Sequence, residues 1–344
     1  MSLPATMHGL QLQVPGRLGI ATLPVPIPGP RDVLVRTLAA TICTSDLHDI
    51  DHNPFNIALP RVMGHEGAGE VVALGAEVTG IRLGDTVALH PVVPCRDCPE
   101  CQRGMGHHCV RMGHLGFDRE GCFADYVAHR ADRVRVLPAG LDPAVGALLE
   151  PVCVCLQAVA RAGDLLGKTL LVVGDGPFGV LIARLALRTA ARVILLGREP
   201  FRLRQVQRAV TMLASDHAAT LSALKAEAPA GIDAAILAVG STEGARLSLA
   251  ALRPRGRLVL FAAPPRDTAL DLFSTHVREL EIVGACNDEE RLDEALALLA
   301  DPALDLAGLV THRLPFDRWP EAFQLARHGH DRALKVAITF PSAS

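Results

Sequence analysis

The apolar positions of this chain change rhythm part-way along. Up to about residue 155 they come in short runs, such as Val33-Leu34-Val35-Arg36-Thr37, Gly69-Glu70-Val71-Val72-Ala73-Leu74 and Asp85-Thr86-Val87-Ala88-Leu89. Turn formers punctuate these runs at Pro24, Pro26, Pro28-Gly29-Pro30, Gly75 and Gly84. Short β-rich runs between Gly/Pro clusters predict antiparallel strands, here closing into a small barrel. From about residue 156, apolar strands alternate with amphipathic helices. The strands are Leu170–Val173, Arg192–Leu196, Ala234–Ala238, Leu258–Phe261 and Glu281–Gly284. That alternation predicts an α/β unit with a parallel, doubly wound sheet. A helix over 291–299 and a last apolar strand over 335–340 complete the pattern. The expected division is 1–155, 156–288 and a C-terminal segment 289–344.

At 344 residues the chain is long enough for about two domains. A net charge of −3, with acids and bases interspersed, gives no basic face for nucleic acid and no acidic tail. No run of about 18 apolar residues predicts a membrane span. Met1-Ser2-Leu3-Pro4 lacks the basic-then-apolar layout of a signal peptide. Most of the nine cysteines stand at ligand-like spacing, which points to a reducing cytoplasm rather than to disulfides.

Four of those cysteines, Cys95, Cys98, Cys101 and Cys109, form the pattern C-x2-C-x2-C-x7-C among turn formers. Four thiolates close a tetrahedral shell around zinc and leave no open position, so this lobe (about 90–112) is structural. A second donor set lies upstream: Cys43 opens Cys43-Thr44-Ser45-Asp46-Leu47-His48, and Gly64-His65-Glu66 follows. A catalytic zinc needs few protein ligands and one open position. Cys43, His65 and a carboxylate supply this, with Glu150 of Leu148-Leu149-Glu150-Pro151 as the expected third ligand and Cys153 as its competitor. A third signal is Thr169-Leu170-Leu171-Val172-Val173 running into Gly174-Asp175-Gly176-Pro177-Phe178-Gly179. A strand, G-x-G-x-x-G and an apolar helix pattern form the context that receives a dinucleotide pyrophosphate.

These motifs together resemble the zinc-dependent medium-chain alcohol dehydrogenases, in their sorbitol (polyol) and threonine dehydrogenase branch. The resemblance covers nearly the whole chain. It rests on Cys43-x-Ser45-Asp46-x-His48, Gly64-His65-Glu66-x2-Gly69-x-Val71, Gly84-Asp85-x-Val87, the four-cysteine lobe, Glu150-Pro151, the glycine fingerprint and Arg253-Pro254-x-Gly256-Arg257. Glu150-Pro151 favours the polyol branch. Thr44 departs from that branch's usual glycine, and Gln157 from a common histidine. The resemblance implies a GroES-like catalytic domain, a Rossmann cofactor domain and a C-terminal segment that returns to the first, with the site in the cleft between domains. It implies oxidation of a secondary alcohol to a ketone, with hydride passing to the nicotinamide. Ser45 would take the alcohol proton and His48 hand it to solvent. Glu66 would lie at the catalytic metal together with Cys43, His65 and Glu150. A homo-oligomer, dimer or tetramer, is implied, and the apolar segment Leu258–Ala263 is the expected sheet edge for it. Phe55 and Phe117 are candidate pocket walls.

The cofactor expectation is NADP(H) ahead of NAD(H). The second strand of the parallel sheet ends at Gly197, without the acid that binds the ribose of NAD, and Arg198 and Arg202 follow. Guanidinium groups suit a 2′-phosphate. Glu199 argues for NAD(H) if the strand runs further. Cyclitol, aminocyclitol, small-diol and L-threonine substrates stay open. So does a non-enzymatic cofactor-binding relative, although retention of Cys43, Ser45, His65, Glu66 and Glu150 weighs against it, and against the zinc-free quinone reductases.

Overall fold

The computed structural model describes residues 3–288, 290–329 and 332–341. The chain divides into two compact units, Met1–Cys153 with Glu289–Ser344, and Val154–Asp288.

In the first unit a seven-stranded sheet runs in the order Val134–Val136, Thr86–Leu89, Glu66–Leu74, Asp32–Thr41, Lys335–Thr339, Val310–Pro315, with Tyr126–Arg130 also paired to Asp32–Thr41. A smaller sheet holds Arg17–Pro24, Thr6–Val14 and Arg61–Val62. Pairing is antiparallel, as the turn-bounded runs predict, except that Val310–Pro315 lies parallel to Lys335–Thr339. Leu10, Leu12, Val33, Val35, Leu89, Phe123 and Ile338 are buried together in its core. Each such side chain withdrawn from water stabilises by about 1.5–3 kcal/mol. Two registers matter for the site. Thr41 stands opposite Glu66 on one side and opposite Ala337 on the other. The C-terminal strand is therefore the direct neighbour of the strand that carries Thr41.

In the second unit six parallel strands follow the order Val210–Leu213, Arg192–Gly197, Thr169–Val173, Ile232–Leu237, Leu252–Leu260, Glu281–Gly284. The order reverses at Thr169–Val173, which places the glycine-rich turn at the switch point where such sheets bind ligands. Leu171, Ile194, Ala235, Leu237 and Leu258 form its core. The expected oligomerisation edge is corrected here. Leu252–Leu260, which contains the first half of Leu258–Ala263, lies inside the sheet between two partners, and the edges are Val210–Leu213 and Glu281–Gly284. A strand buried on both faces reads as a continuous apolar run, so high apolarity marked a central strand.

Among the described residues one helical stretch, Pro143–Arg161, is long and apolar enough to cross a membrane. Its apolar window is 83% buried within the protein, as in a core helix.

Candidate active site and metal centres

Cys43 caps the helix Thr44–His52 with extended backbone. Asp46, at the third position of that helix, returns its carboxylate to the Cys43 N–H at 2.9 Å. The other oxygen of Asp46 lies 3.2 Å from Nδ1 of His65. One buried carboxylate thus braces both donors. With Nδ1 facing the Asp46 carboxylate, His65 leaves Nε2 as the nitrogen that could ligate a metal, the side on which a buried carboxylate usually supports such an imidazole. Ser45 Oγ lies 3.4 Å from that Nε2. Gly64 sets the entry to His65: its φ is +96°, and a Cβ there would meet the Phe123 ring at 2.7 Å.

The ligand atoms of Cys43, His65 and Glu66 lie within 4.8 Å of one another, all buried. Burial and the Glu66 charge push the Cys43 thiol up, opposed by Lys335. Burial works to lower the His65 pKa, yet Asp46 and Cys43 carry it well above the ordinary value. A thiol, an imidazole and a carboxylate converging in a dry pocket are a donor set that suits zinc.

Glu66 is the residue whose surroundings the sequence left blank. Lys335 Nζ lies 2.6 Å from its Oε1, and both side chains are fully buried. Thr41 Oγ1 donates to the other oxygen. Burial works to lower the Lys335 pKa, but Glu66 and Cys43 raise it above the ordinary value, so the ammonium stays charged. Glu150, in the first turn of the helix Leu149–Arg161, is buried and close enough for its charge to act on Lys335. Its carboxylate is not part of the tight Cys43–His65–Glu66 set. Cys153, its competitor, lies beside His90. His48 is exposed on the helix that follows Cys43, as is Thr44, and Gln157 is buried.

Two rings lie beside His65. Phe117 lies 6.4 Å from it and 4.5 Å from His114, which is 5.7 Å from His65. Phe55 packs on Phe117 at 5.7 Å and is largely exposed. Sequence reasoning missed His114. Burial lowers its pKa to about 3, so its imidazole is neutral, and Nδ1 donates to the Leu115 carbonyl at 2.7 Å.

Asp49, one turn beyond Asp46, is fully buried, and neither carboxylate oxygen has a hydrogen-bond partner among the described residues. Burial, and then the Asp46 charge, raise its pKa to about 7. A carboxyl held above its unfolded value costs stability as pH rises from about 4, and the cost is complete above about 7. Asp49→Asn is expected to raise Tm, more at pH 8 than at pH 5. Calorimetry giving equal shifts at both pH values would contradict this.

In the four-cysteine lobe, Cys98 caps the short helix Pro99–Gln102. The Cys95–Cys101 and Cys98–Cys109 sulfurs lie 3.9 and 3.8 Å apart. A zinc tetrahedron with Zn–S bonds of about 2.3 Å has edges of about 3.8 Å. The Cys95 and Arg111 N–H groups donate to Cys109 Sγ at 3.3 Å, and the Arg111 guanidinium reaches Cys95 Sγ at 3.4 Å. Such donors stabilise thiolates.

In the second unit the strand Thr169–Val173 ends at Gly174, with φ at +118°. Pro177 opens the helix Pro177–Ala186, where its missing N–H costs nothing. A Cβ on Gly179 would lie 1.8 Å from the Gly174 carbonyl oxygen, so helix and strand pack too closely for any side chain. A Cβ on Gly176 would meet nothing within 4 Å. That open approach to a helix N-terminus is what a pyrophosphate requires. Phe178 packs on Phe261 at 5.4 Å. Gly197 ends its strand, Arg198 is exposed, and Arg202 lies on the short helix Pro200–Leu203.

Comparison with known proteins agrees with this geometry. Residues 29–139 match the family model of the alcohol dehydrogenase GroES-like domain, and residues 177–301 that of zinc-binding dehydrogenases. An L-threonine 3-dehydrogenase of Pyrococcus furiosus is 31% identical over 89% of this chain and 90% of its own. The chain belongs to the zinc-dependent medium-chain alcohol dehydrogenases. An L-galactonate-5-dehydrogenase of Escherichia coli, another member, is 29% identical over 98% of this chain and all of its own. A solved structure described as a zinc-binding dehydrogenase of Sinorhizobium meliloti, bound to NADP, superposes with a TM-score of 0.89. It is 28% identical and covers 98% of this chain and all of its own. The protein is therefore an NAD(P)-dependent zinc dehydrogenase with a GroES-like unit and a Rossmann-type unit. Its cofactors are zinc, at the four-cysteine cluster and at the Cys/His/Glu site, and a nicotinamide dinucleotide.

Proposed function

We propose that this dehydrogenase oxidises a secondary alcohol in a polyhydroxylated substrate, a polyol or related sugar derivative, to a ketone, and prefers NADP(H). The observation that carries the reading is the buried Cys43–His65–Glu66 cluster, its carboxylate neutralised by Lys335. When bound, zinc supplies a Lewis acid for the alcohol oxygen, and the nicotinamide supplies the hydride acceptor. The remaining roles fall to the chain's own groups. Asp46 places its carboxylate against Nδ1 of His65 and so helps to direct the ring. Ser45 Oγ stands beside His65 Nε2, where it can take the substrate hydroxyl proton. His48, exposed one helical turn on, can pass that proton to water. Lys335 offsets the charge of Glu66, the carboxylate of the Cys43–His65–Glu66 set, while Glu150 lies outside that set and acts on Lys335 through its charge. Phe117, Phe55 and His114 would wall the substrate site next to His65.

A relative matched along its whole length and named for oxidation of a sugar acid supports the polyhydroxylated substrate. L-threonine is the second reading, favoured by relatives of that name at 30–31% identity. The exposed Arg198 at the end of a strand lacking an acid supports NADP(H), with Gly174, Gly176, Pro177, Phe178, Gly179, Gly197 and Arg202 completing the cofactor site. The test is a screen of NADP⁺ and NAD⁺ reduction over polyols, sugar acids, cyclitols, diols and L-threonine. A polyhydroxylated alcohol with NADP⁺ is expected to give the highest kcat/KM. A preference for L-threonine, or for NAD⁺, would overturn the corresponding half of the reading.

We also place the protein in the cytoplasm, since none of the nine cysteines is joined in a disulfide and eight of them are shielded to some degree. Assembly as a homotetramer is expected. Light scattering at micromolar concentration that gave the mass of one chain, 36.5 kDa, would contradict it.

A further inference from the structure

We infer that Asp175, the first variable residue of the glycine fingerprint, is a specificity-determining residue for the dinucleotide. Its carboxylate stands at the end of the second strand of the parallel sheet, in place of the ribose-reading acid that the strand lacks. There it opposes the 2′-phosphate that Arg198 attracts.

Gly197 is the last residue of the strand Arg192–Gly197. A Cβ built on it would lie 2.4 Å from Cβ and Cγ of Asp175 and 2.5 Å from its Oδ2. No side chain can grow from position 197, because the Asp175 carboxylate fills the space where one would start. Asp175 Oδ2 accepts the N–H of Arg198 at 2.8 Å and that of Glu199 at 2.6 Å. The acid is thereby locked onto the turn that follows the strand. Glu199, the alternative acid, is committed elsewhere: its carboxylate accepts the Phe201 N–H at 3.1 Å and caps the helix Pro200–Leu203. Glu199 thus faces the next helix, whereas the carboxylate lying against Gly197 at this strand end is that of Asp175, from the preceding glycine loop.

The chemistry follows from the position. A carboxylate beside an adenosine ribose accepts hydrogen bonds from its free hydroxyls. A 2′-phosphate has acceptors and negative charge and can only be repelled by it. Arg198, exposed and next in sequence after Gly197, acts in the opposite sense. The inference rests on the reading of this loop as the dinucleotide site. It adds that the preference for NADP(H) is held down by a residue of the loop itself.

Asp175→Asn separates charge from bracing, since the amide oxygen can still accept both backbone N–H groups. Asp175→Ala removes both. The experiment is equilibrium titration of NADPH and NADH, followed by nicotinamide fluorescence, on wild type, D175N, D175A and R198A. In D175N the ratio of NADPH to NADH affinity is expected to rise by about tenfold, the scale of one removed like charge near a protein surface. In R198A the ratio is expected to fall. An unchanged ratio in D175N, with both affinities falling equally in D175A, would make Asp175 only a brace for the turn and overturn the inference. Wild type binding neither nucleotide would overturn the dinucleotide site itself.

Discussion

Cys43→Ala or His65→Ala is expected to lower kcat/KM about a thousandfold or more and to leave the far-UV circular dichroism unchanged. A Lewis-acid metal contributes several kcal/mol to such a barrier, and each 1.36 kcal/mol is tenfold in rate. The two residues meet in one buried cluster, held by Asp46 from the opposite side. Neither closes a turn or fills a large share of the core. Cys98→Ala is expected to behave in the reverse way, because it opens the four-sulfur lobe, where the metal contributes folding energy. Its Tm should fall while the zinc at the Cys/His/Glu site is retained. Near-normal turnover in Cys43→Ala, or an unchanged Tm in Cys98→Ala, would show that the two clusters have been given the wrong roles.

Lys335→Met should be the most destabilising single change in the first unit. It leaves Glu66 fully buried with the neutral Thr41 hydroxyl donating to it. Removing one member of a buried ion pair costs about 3–5 kcal/mol, because the remaining charge has no compensation. Denaturant unfolding of zinc-depleted protein would measure this loss. Bound zinc is a second positive charge near Glu66, so the loss should shrink in zinc-loaded protein. Glu66→Gln in the Lys335→Met background should recover part of the stability, since the pair is coupled. An equal loss with and without zinc would place Glu66 too far from the metal to feel it.

How much of this was legible in the sequence depended on distance along the chain. The four thiols of the lobe lie within fifteen residues, so their spacing alone specified a shell. Cys43, His65 and Glu66 were legible by residue type and order, and the glycine loop by its place between strand and helix. Lys335 was not. It is 269 residues from Glu66 and reads as the first residue of an apolar strand. Only the pairing of that strand with Asp32–Thr41 brings it to the site. Asp46 did carry a local signal, an acid three residues after a helix cap, which marks a capping box. Its second bond, to His65, needed the fold. Apolarity misled at Leu258–Ala263, where burial on both faces was read as an edge available to a partner.

The central claim is a catalytic zinc at the Cys43–His65–Glu66 cluster, distinct from the one in the four-cysteine lobe. It is tested most directly by elemental analysis of purified wild type beside the Cys43→Ala/His65→Ala double variant. The account predicts one zinc for each cluster in wild type, and loss of one of the two in the variant. Equal zinc content in the two proteins would contradict it.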